Sequence, residues 1–169
     1  IRLYVDASSG TKTEQGCLGV VFTQQGFPHR FCRWKVPSEF LTALFKNRGN
    51  YIQFMEMSAS ILGLSTFAPE LSQSNTIMYC DNKSQLGSLI KGYGSEWDYT
   101  IVANVFWRIA CREGMNIQLE WVPSLANIAD IPSRPHDVAA LQWMIDHGAV
   151  EVAPGPMGEL IGALQDIAA

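Results

Sequence analysis

The stretch Asn75-Thr76-Ile77-Met78-Tyr79-Cys80-Asp81-Asn82 decides the fold class. Its first six residues are almost wholly apolar and do not alternate, which is the pattern of a strand buried on both faces in a parallel sheet. Asp81 and Asn82 then close it with an ordinary strand-ending turn signal. Upstream, Ile52–Thr66 reads as a firm helix that stops before Pro69. Further upstream lie three β-rich runs. Arg2–Ser8 alternates Leu3 and Val5 against Tyr4, Asp6 and Ser8, and Leu18–Thr23 is separated from His29–Val36 by the turn-prone Gln24-Gln25-Gly26. Short links between these three predict an antiparallel meander.

Between meander and helix, Pro37–Asn50 carries Phe40, Leu41, Leu44 and Phe45 at helical spacing before the break Asn47-Arg48-Gly49-Asn50, a short helix or a structured loop. Downstream, Lys83–Ile90 and Glu96–Glu113 read as helices, the second ending at Gly114 in a C-cap position. Ile117–Val122 is a further strand broken by Pro123. Ile128–Ser133 is a helical turn, and Asp137–His147 a helix with Asp137 as N-cap. The expected class is α/β: a mixed five-stranded sheet, three antiparallel strands and then parallel strands reached through helical crossovers, flanked by helices. Residues 1–150 form the expected domain. Ala153-Pro154-Gly155-Pro156 opens a linker, so residues 151–169 are a linker with a short C-terminal helical extension.

A chain of 169 residues, 47% hydrophobic and 11% aromatic, suits one globular domain with a proper core. No apolar run is long enough for a bilayer and no leader pattern is visible; the scattered cysteines, which suggest no disulfide framework, lead to the expectation of an intracellular setting, cytoplasmic or nuclear. The first residue is Ile, which suggests a domain taken from a longer protein. Cys17, Cys32, Cys80 and Cys111 form no CxxC pair and read as free thiols, three of them in apolar patterns. Trp34, Trp107 and Trp121 also fall in core-like patterns. Net charge is −4 with a pI near 5.3. Affinity for nucleic acid comes mostly from clustered Lys and Arg, and here only Lys35, Lys46 and Arg48 approach a cluster. Neither glycine fingerprint of a nucleotide-binding loop is present.

Four carboxylates stand out. Asp6 is polar in the middle of a strand. Asp81 follows the buried strand at its carboxyl end, the edge where ligands gather in open α/β sheets. Glu56 shares a helix face with Ile52, Ala59, Ser60 and Gly63, small residues that let a helix approach a sheet closely. A carboxylate pointing into such a contact is costly unless it meets a cation. Asp130 follows a strand, where a helix-start carboxylate would also be favoured by the macrodipole. Each has an ordinary structural explanation, but no single one covers all four.

The segments Leu3-Tyr4-Val5-Asp6-Ala7-Ser8, Ile52-Gln53-Phe54-Met55-Glu56-Met57, Tyr79-Cys80-Asp81-Asn82 and Asn127-Ile128-Ala129-Asp130-Ile131-Pro132-Ser133-Arg134 resemble the four catalytic blocks of ribonucleases H. They look closest to the ribonuclease H domains that follow reverse transcriptase in retroelements, where a final N-x-x-A-D-x-x-S-R block is typical. The resemblance spans Ile1 to Arg134. It implies a ribonuclease H-like fold and a hydrolase that cuts the RNA strand of RNA–DNA hybrids. It also implies an Asp-Glu-Asp-Asp site, with Asp6, Glu56, Asp81 and Asp130 both catalytic and metal-binding. Two Mg²⁺ or Mn²⁺ ions would sit there roughly 3.5–4 Å apart. It further implies an adjacent reverse transcriptase polymerase domain as partner, and Gln53, Asn82 and Lys83 as substrate contacts near the 2′-hydroxyls.

One departure from the pattern concerns the loop before the last Asp, where many relatives carry a His. This chain has Val122-Pro123-Ser124-Leu125-Ala126-Asn127 there, and His136 comes only afterwards. Two other classes share the elements: an inactive connection or scaffold domain, and another nuclease of the same superfold, of integrase, transposase or resolvase type. Retention of all four acids speaks against the first; Glu56 on the first helix and the Asp81-Asn82 pair speak against the second.

Overall fold

The computed structural model describes residues 1–9, 15–38, 41 and 51–168. In chain order these form strand β1 (Arg2–Ser8), β2 (Cys17–Thr23) and β3 (Arg30–Lys35), helix α1 (Ile52–Thr66), a short α2 (Ala68–Leu71) and β4 (Asn75–Cys80). Then come α3 (Lys83–Lys91), α4 (Trp97–Arg112), β5 (Asn116–Trp121), a 3₁₀ turn at Ser124–Ala126, α5 (Asp130–Ser133), α6 (Val138–Asp146), β6 (Val150–Glu151) and α7 (Gly158–Ala168). The helix or loop expected over Pro37–Asn50 falls almost entirely outside the described residues, as do Lys46 and Arg48.

Among the described residues the sheet has six strands in the order β5-β4-β1-β2-β3-β6. β1, β2 and β3 pair antiparallel, whereas β4 joins β1, β5 joins β4 and β6 joins β3 in parallel. The expected mixed α/β sheet is present. Its sixth strand was not anticipated, because Val150 and Glu151 make only a two-residue edge pairing with Arg30 and Phe31, too short to leave a periodic signal.

Alternation in β1 sends Leu3, Val5 and Ala7 into the main core, while Tyr4 joins a smaller cluster of Val21, Phe31, Ala129 and Met144. α1 fills the main core with Phe54, Met55, Met57, Ile61, Leu62 and Leu64, and α4 adds Val102, Phe106 and Ile109. Leu160 and Leu164 of α7 are buried in the same core, and Glu159 pairs with Arg108 (2.7 Å) and Arg112 (2.9 Å) of α4. On the opposite face α5 lies almost on the backbone of β2. A Cβ on Gly19 would come within 2.4 Å of the Ser133 nitrogen, so only glycine permits this approach. α4 ends as the sequence implies, with Gly114 left-handed at φ 64°.

A further element was not anticipated, and one local expectation needs correction. The chain makes the short α2 after Thr66 because Pro69 can occupy a first helical turn. Glu70 of that turn holds Arg30 at 2.5 Å, and the same guanidinium lies 4.5 Å above the Phe22 ring, a long-range tie that sequence periodicity cannot register. Trp121 is not a core residue: it is 43% exposed, at the end of β5, which is an edge strand of the sheet. Trp34 and Trp107 are half-buried against the core, and Cys17, Cys32 and Cys80 are buried free thiols, with Cys111 exposed. No helix among the described residues is long and apolar enough to cross a membrane.

Candidate metal centre

β1 and β4 run parallel with Tyr4 level with Tyr79, and these rings stack at 4.9 Å. Two residues on from this pair come Asp6, in β1, and Asp81, just past the end of β4. Glu56, in the second turn of α1, completes a group in which one oxygen from each of the three carboxylates lies within 4.8 Å of the others. Asp6 is only 7% exposed; Glu56 and Asp81 are half-buried.

Each carboxylate has its own support. Ser133 Oγ donates to Asp6 Oδ2 (2.7 Å), and the Ser8 hydroxyl in turn donates to the Ser133 carbonyl (2.6 Å). The Asn82 amide donates to Glu56 Oε2. The Trp121 indole N–H donates to the Asp81 carbonyl (3.0 Å), and Lys83 places its ammonium 4.7 Å above that indole ring. Asn127, 3% exposed, bridges the Asn127–Arg134 segment to β1: its amide donates to the Val5 carbonyl (3.0 Å) and its oxygen accepts from the Ala129 N–H (3.2 Å).

Burial and crowding set the electrostatics. Desolvation pushes the Asp6 carboxyl up to about 6, against the Ser133 hydrogen bond, with repulsion from Asp81 and Asp130 adding to the rise. Desolvation likewise pushes Glu56 up to about 7, opposed by the Asn82 amide and helped by Asp6 and Asp81. Among the described residues no lysine or arginine forms an ion pair with any of the three. A group of hard oxygen donors short of positive charge fits a divalent cation of the Mg²⁺ or Mn²⁺ kind. Cys80, directly beneath, is driven up to about 12 by burial and by Asp81 and Glu56, so it is an inert thiol.

Of the four acids expected from sequence, three come together and the fourth stands at the edge. Asp130 is near enough to act on Asp6, yet its Oδ1 is held by Arg134 at 2.7 Å, one helical turn on, in a half-exposed ion pair. Among the three polar residues expected to meet substrate, Gln53 accepts from the Ser84 hydroxyl (3.2 Å) and Lys83 is exposed beside Trp121. Asn82 caps α3, accepting from the N–H of Ser84 (2.9 Å) and Gln85 (3.2 Å). His136 is exposed. Sequence reasoning missed Ser133, Asn127, Trp121 and Gln85. The first two lie inside the quoted Asn127–Arg134 block, so the signal was present without its meaning.

The sequence matches no protein-family model and no curated protein. Solved structures do match. The ribonuclease H1 of the halophilic archaeon Halobacterium salinarum NRC-1 superposes with a TM-score of 0.56 at 13% identity, covering 76% of this chain and 89% of the other. LC11 ribonuclease H1, isolated from compost by a metagenomic approach, gives a TM-score of 0.56 at 16% identity over the same shares. At such identities the likeness is one of fold, and the fold of this chain is ribonuclease H-like.

Proposed function

We propose that this chain is a metal-dependent endonuclease that hydrolyses the RNA strand of RNA–DNA hybrids, working beside a reverse transcriptase polymerase domain. The observation that carries the reading is the convergence of Asp6, Glu56 and Asp81 within 4.8 Å at one end of a ribonuclease H-like sheet. The four sequence blocks support it independently, and the ribonuclease H1 neighbours share its fold.

In this reading Asp6, Glu56 and Asp81 would hold the cations, and Asp130 would be a further ligand once free of Arg134. Two bound ions would acidify the attacking water and offset charge on the leaving 3′ oxygen, giving 5′-phosphate and 3′-hydroxyl ends. The protein's own contribution is orientation. Ser133 fixes Asp6, Asn82 fixes Glu56, and Trp121 ties down the backbone at Asp81. Lys83 and Gln53, on the exposed rim, are proposed to contact the hybrid, its 2′-hydroxyls separating RNA from DNA.

The test is cleavage of a labelled RNA–DNA hybrid with Mg²⁺ or with chelator, with and without a polymerase domain. Mg²⁺-dependent cutting that disappears in Asp81→Asn, a near-isosteric change, supports the reading. Absence of cleavage under every condition overturns it. The Arg134–Asp130 pair favours a second reading, a catalytically weak scaffold domain whose fourth acid is permanently engaged, and the same assay separates the two.

A further inference from the structure

Asn82 uses both ends of its side chain inside the protein. Its oxygen is the N-cap of α3, accepting from Ser84 and Gln85, with the backbone extended at φ −100° and ψ 110°. Those two bonds fix the rotation of the amide plane, and so fix where its N–H groups point. One of them meets Glu56 Oε2 on α1, 26 residues earlier in the chain. Gln85, the third residue of α3, grips the same place from the main-chain side. Only 1% exposed, it donates to the Glu56 carbonyl (2.8 Å) and to the Ser60 hydroxyl (3.2 Å). The first turn of α3 therefore holds Glu56 by backbone and by side chain together.

We propose that Asn82 is a positioning residue that aims the Glu56 carboxylate into the cation site, rather than a reader of the substrate. The proposal rests on the metal-dependent reading above. Its physical basis is that Glu56 has Asp6 and Asp81 as close neighbours of like charge, with several rotatable bonds by which to swing away from them. A fixed amide donor on one oxygen opposes that swing. Among the described residues the other oxygen accepts no hydrogen bond and stays available to a cation. Partners of metal ligands act in this way, and losing one weakens metal affinity by about 10–100-fold.

The two roles can be separated by chemistry. Serine is as good an N-cap as asparagine, but its hydroxyl ends one bond short of the amide nitrogen. Asn82→Ser in the full chain keeps the cap acceptor and loses the donor to Glu56; Asn82→Thr does the same and serves if the serine variant does not fold. Calorimetric titration with Mn²⁺ alone, with no substrate, is the first measurement. The expected result is a melting temperature close to wild type with Mn²⁺ affinity lowered about 10–100-fold. In hybrid cleavage, kcat should fall at low Mn²⁺ and recover at saturating Mn²⁺, with KM for the hybrid unchanged. Mn²⁺ affinity equal to wild type overturns the proposal alone, and a raised hybrid KM at unchanged Mn²⁺ affinity returns Asn82 to a substrate-reading role. Failure of the wild-type chain itself to bind Mn²⁺ overturns the metal-dependent reading and takes the proposal with it.

Discussion

Asp6 should make the metal-free protein lose stability as pH rises, and the size of the loss follows from its burial. In the folded chain its carboxyl titrates near 6 instead of 3.8, with desolvation as the largest cause. A folded-state pKa above the unfolded value means that the folded chain still holds a proton that the unfolded chain has released. Stability therefore falls as pH rises from about 4 to about 6, and the loss is complete above that window. At about 1.36 kcal/mol per pKa unit, ionised Asp6 costs the folded state about 3 kcal/mol at neutral pH. In a chain of this size that corresponds to about 6–12 °C in melting temperature. Glu56, raised to about 7, acts in the same direction and extends the window upward. The assay is thermal unfolding by circular dichroism in chelator at about pH 4 and about pH 7.5, comparing the wild type with Asp6→Asn. The amide can still accept from Ser133, so the variant removes the charge while keeping the hydrogen bond. Relative to wild type, Asp6→Asn should gain stability on going from acid to neutral pH, and millimolar Mg²⁺ should restore much of what the wild type loses. If the difference between the two proteins is the same at both pH values, burial does not govern Asp6 and the electrostatic argument for the cation site is refuted.

Ser133→Ala should destabilise the protein by about 1–3 kcal/mol in urea unfolding, because it leaves a buried carboxylate oxygen without its donor. Gly19→Ala should cost at least as much, about 1–3 kcal/mol or more, since the new methyl meets the Ser133 backbone rather than a movable side chain. Arg134→Ala should change stability by no more than about 1 kcal/mol, the pair being half-exposed, but it should tighten Mn²⁺ binding by releasing Asp130; unchanged or weaker binding in calorimetry would count against Asp130 as a ligand. With a net charge of −4, the isolated chain should bind hybrid weakly, and fluorescence anisotropy should show affinity falling steeply with added salt.

What the sequence revealed of the fold is what local periodicity can encode. Ile52–Thr66 and Asn75–Cys80 match the observed boundaries residue for residue, because one is apolar nearly all round over four turns and the other is a short, mostly apolar run that ends in a turn signal. β6 escaped because two residues have no period, and α2 because a single turn of four residues is too short to show one; its tie to Arg30 is long-range. Trp121 was misplaced for a related cause. An apolar residue in a strand is core only when the face it projects from is covered, and at an edge strand such as β5 that cover is a property of the assembled sheet.

The candidate site divides along the same line. Glu56 was legible because a carboxylate on an apolar helix contradicts its surroundings, whereas Asp6, Asp81 and Asp130, each with an ordinary local explanation, stood out through the sequence blocks that contain them. Their supports are not of that kind. Ser133 is a serine in a polar turn and Asn82 an asparagine after a strand, each unremarkable where it stands. They acquire meaning only from partners 127 and 26 residues away. The ribonuclease H-like topology creates those partnerships: parallel β1 and β4 bring Asp6 and Asp81 to the same end of the sheet, α5 folds back across Gly19 to deliver Ser133, and α3 starts where its cap can reach Glu56. The order of dependence is then clear. The acids can be chosen by sequence alone, but their aim depends on residues whose positions the whole fold must first fix. A substitution at Ser133 or Asn82 should therefore leave the four carboxylates in place in the sequence and still disable the centre.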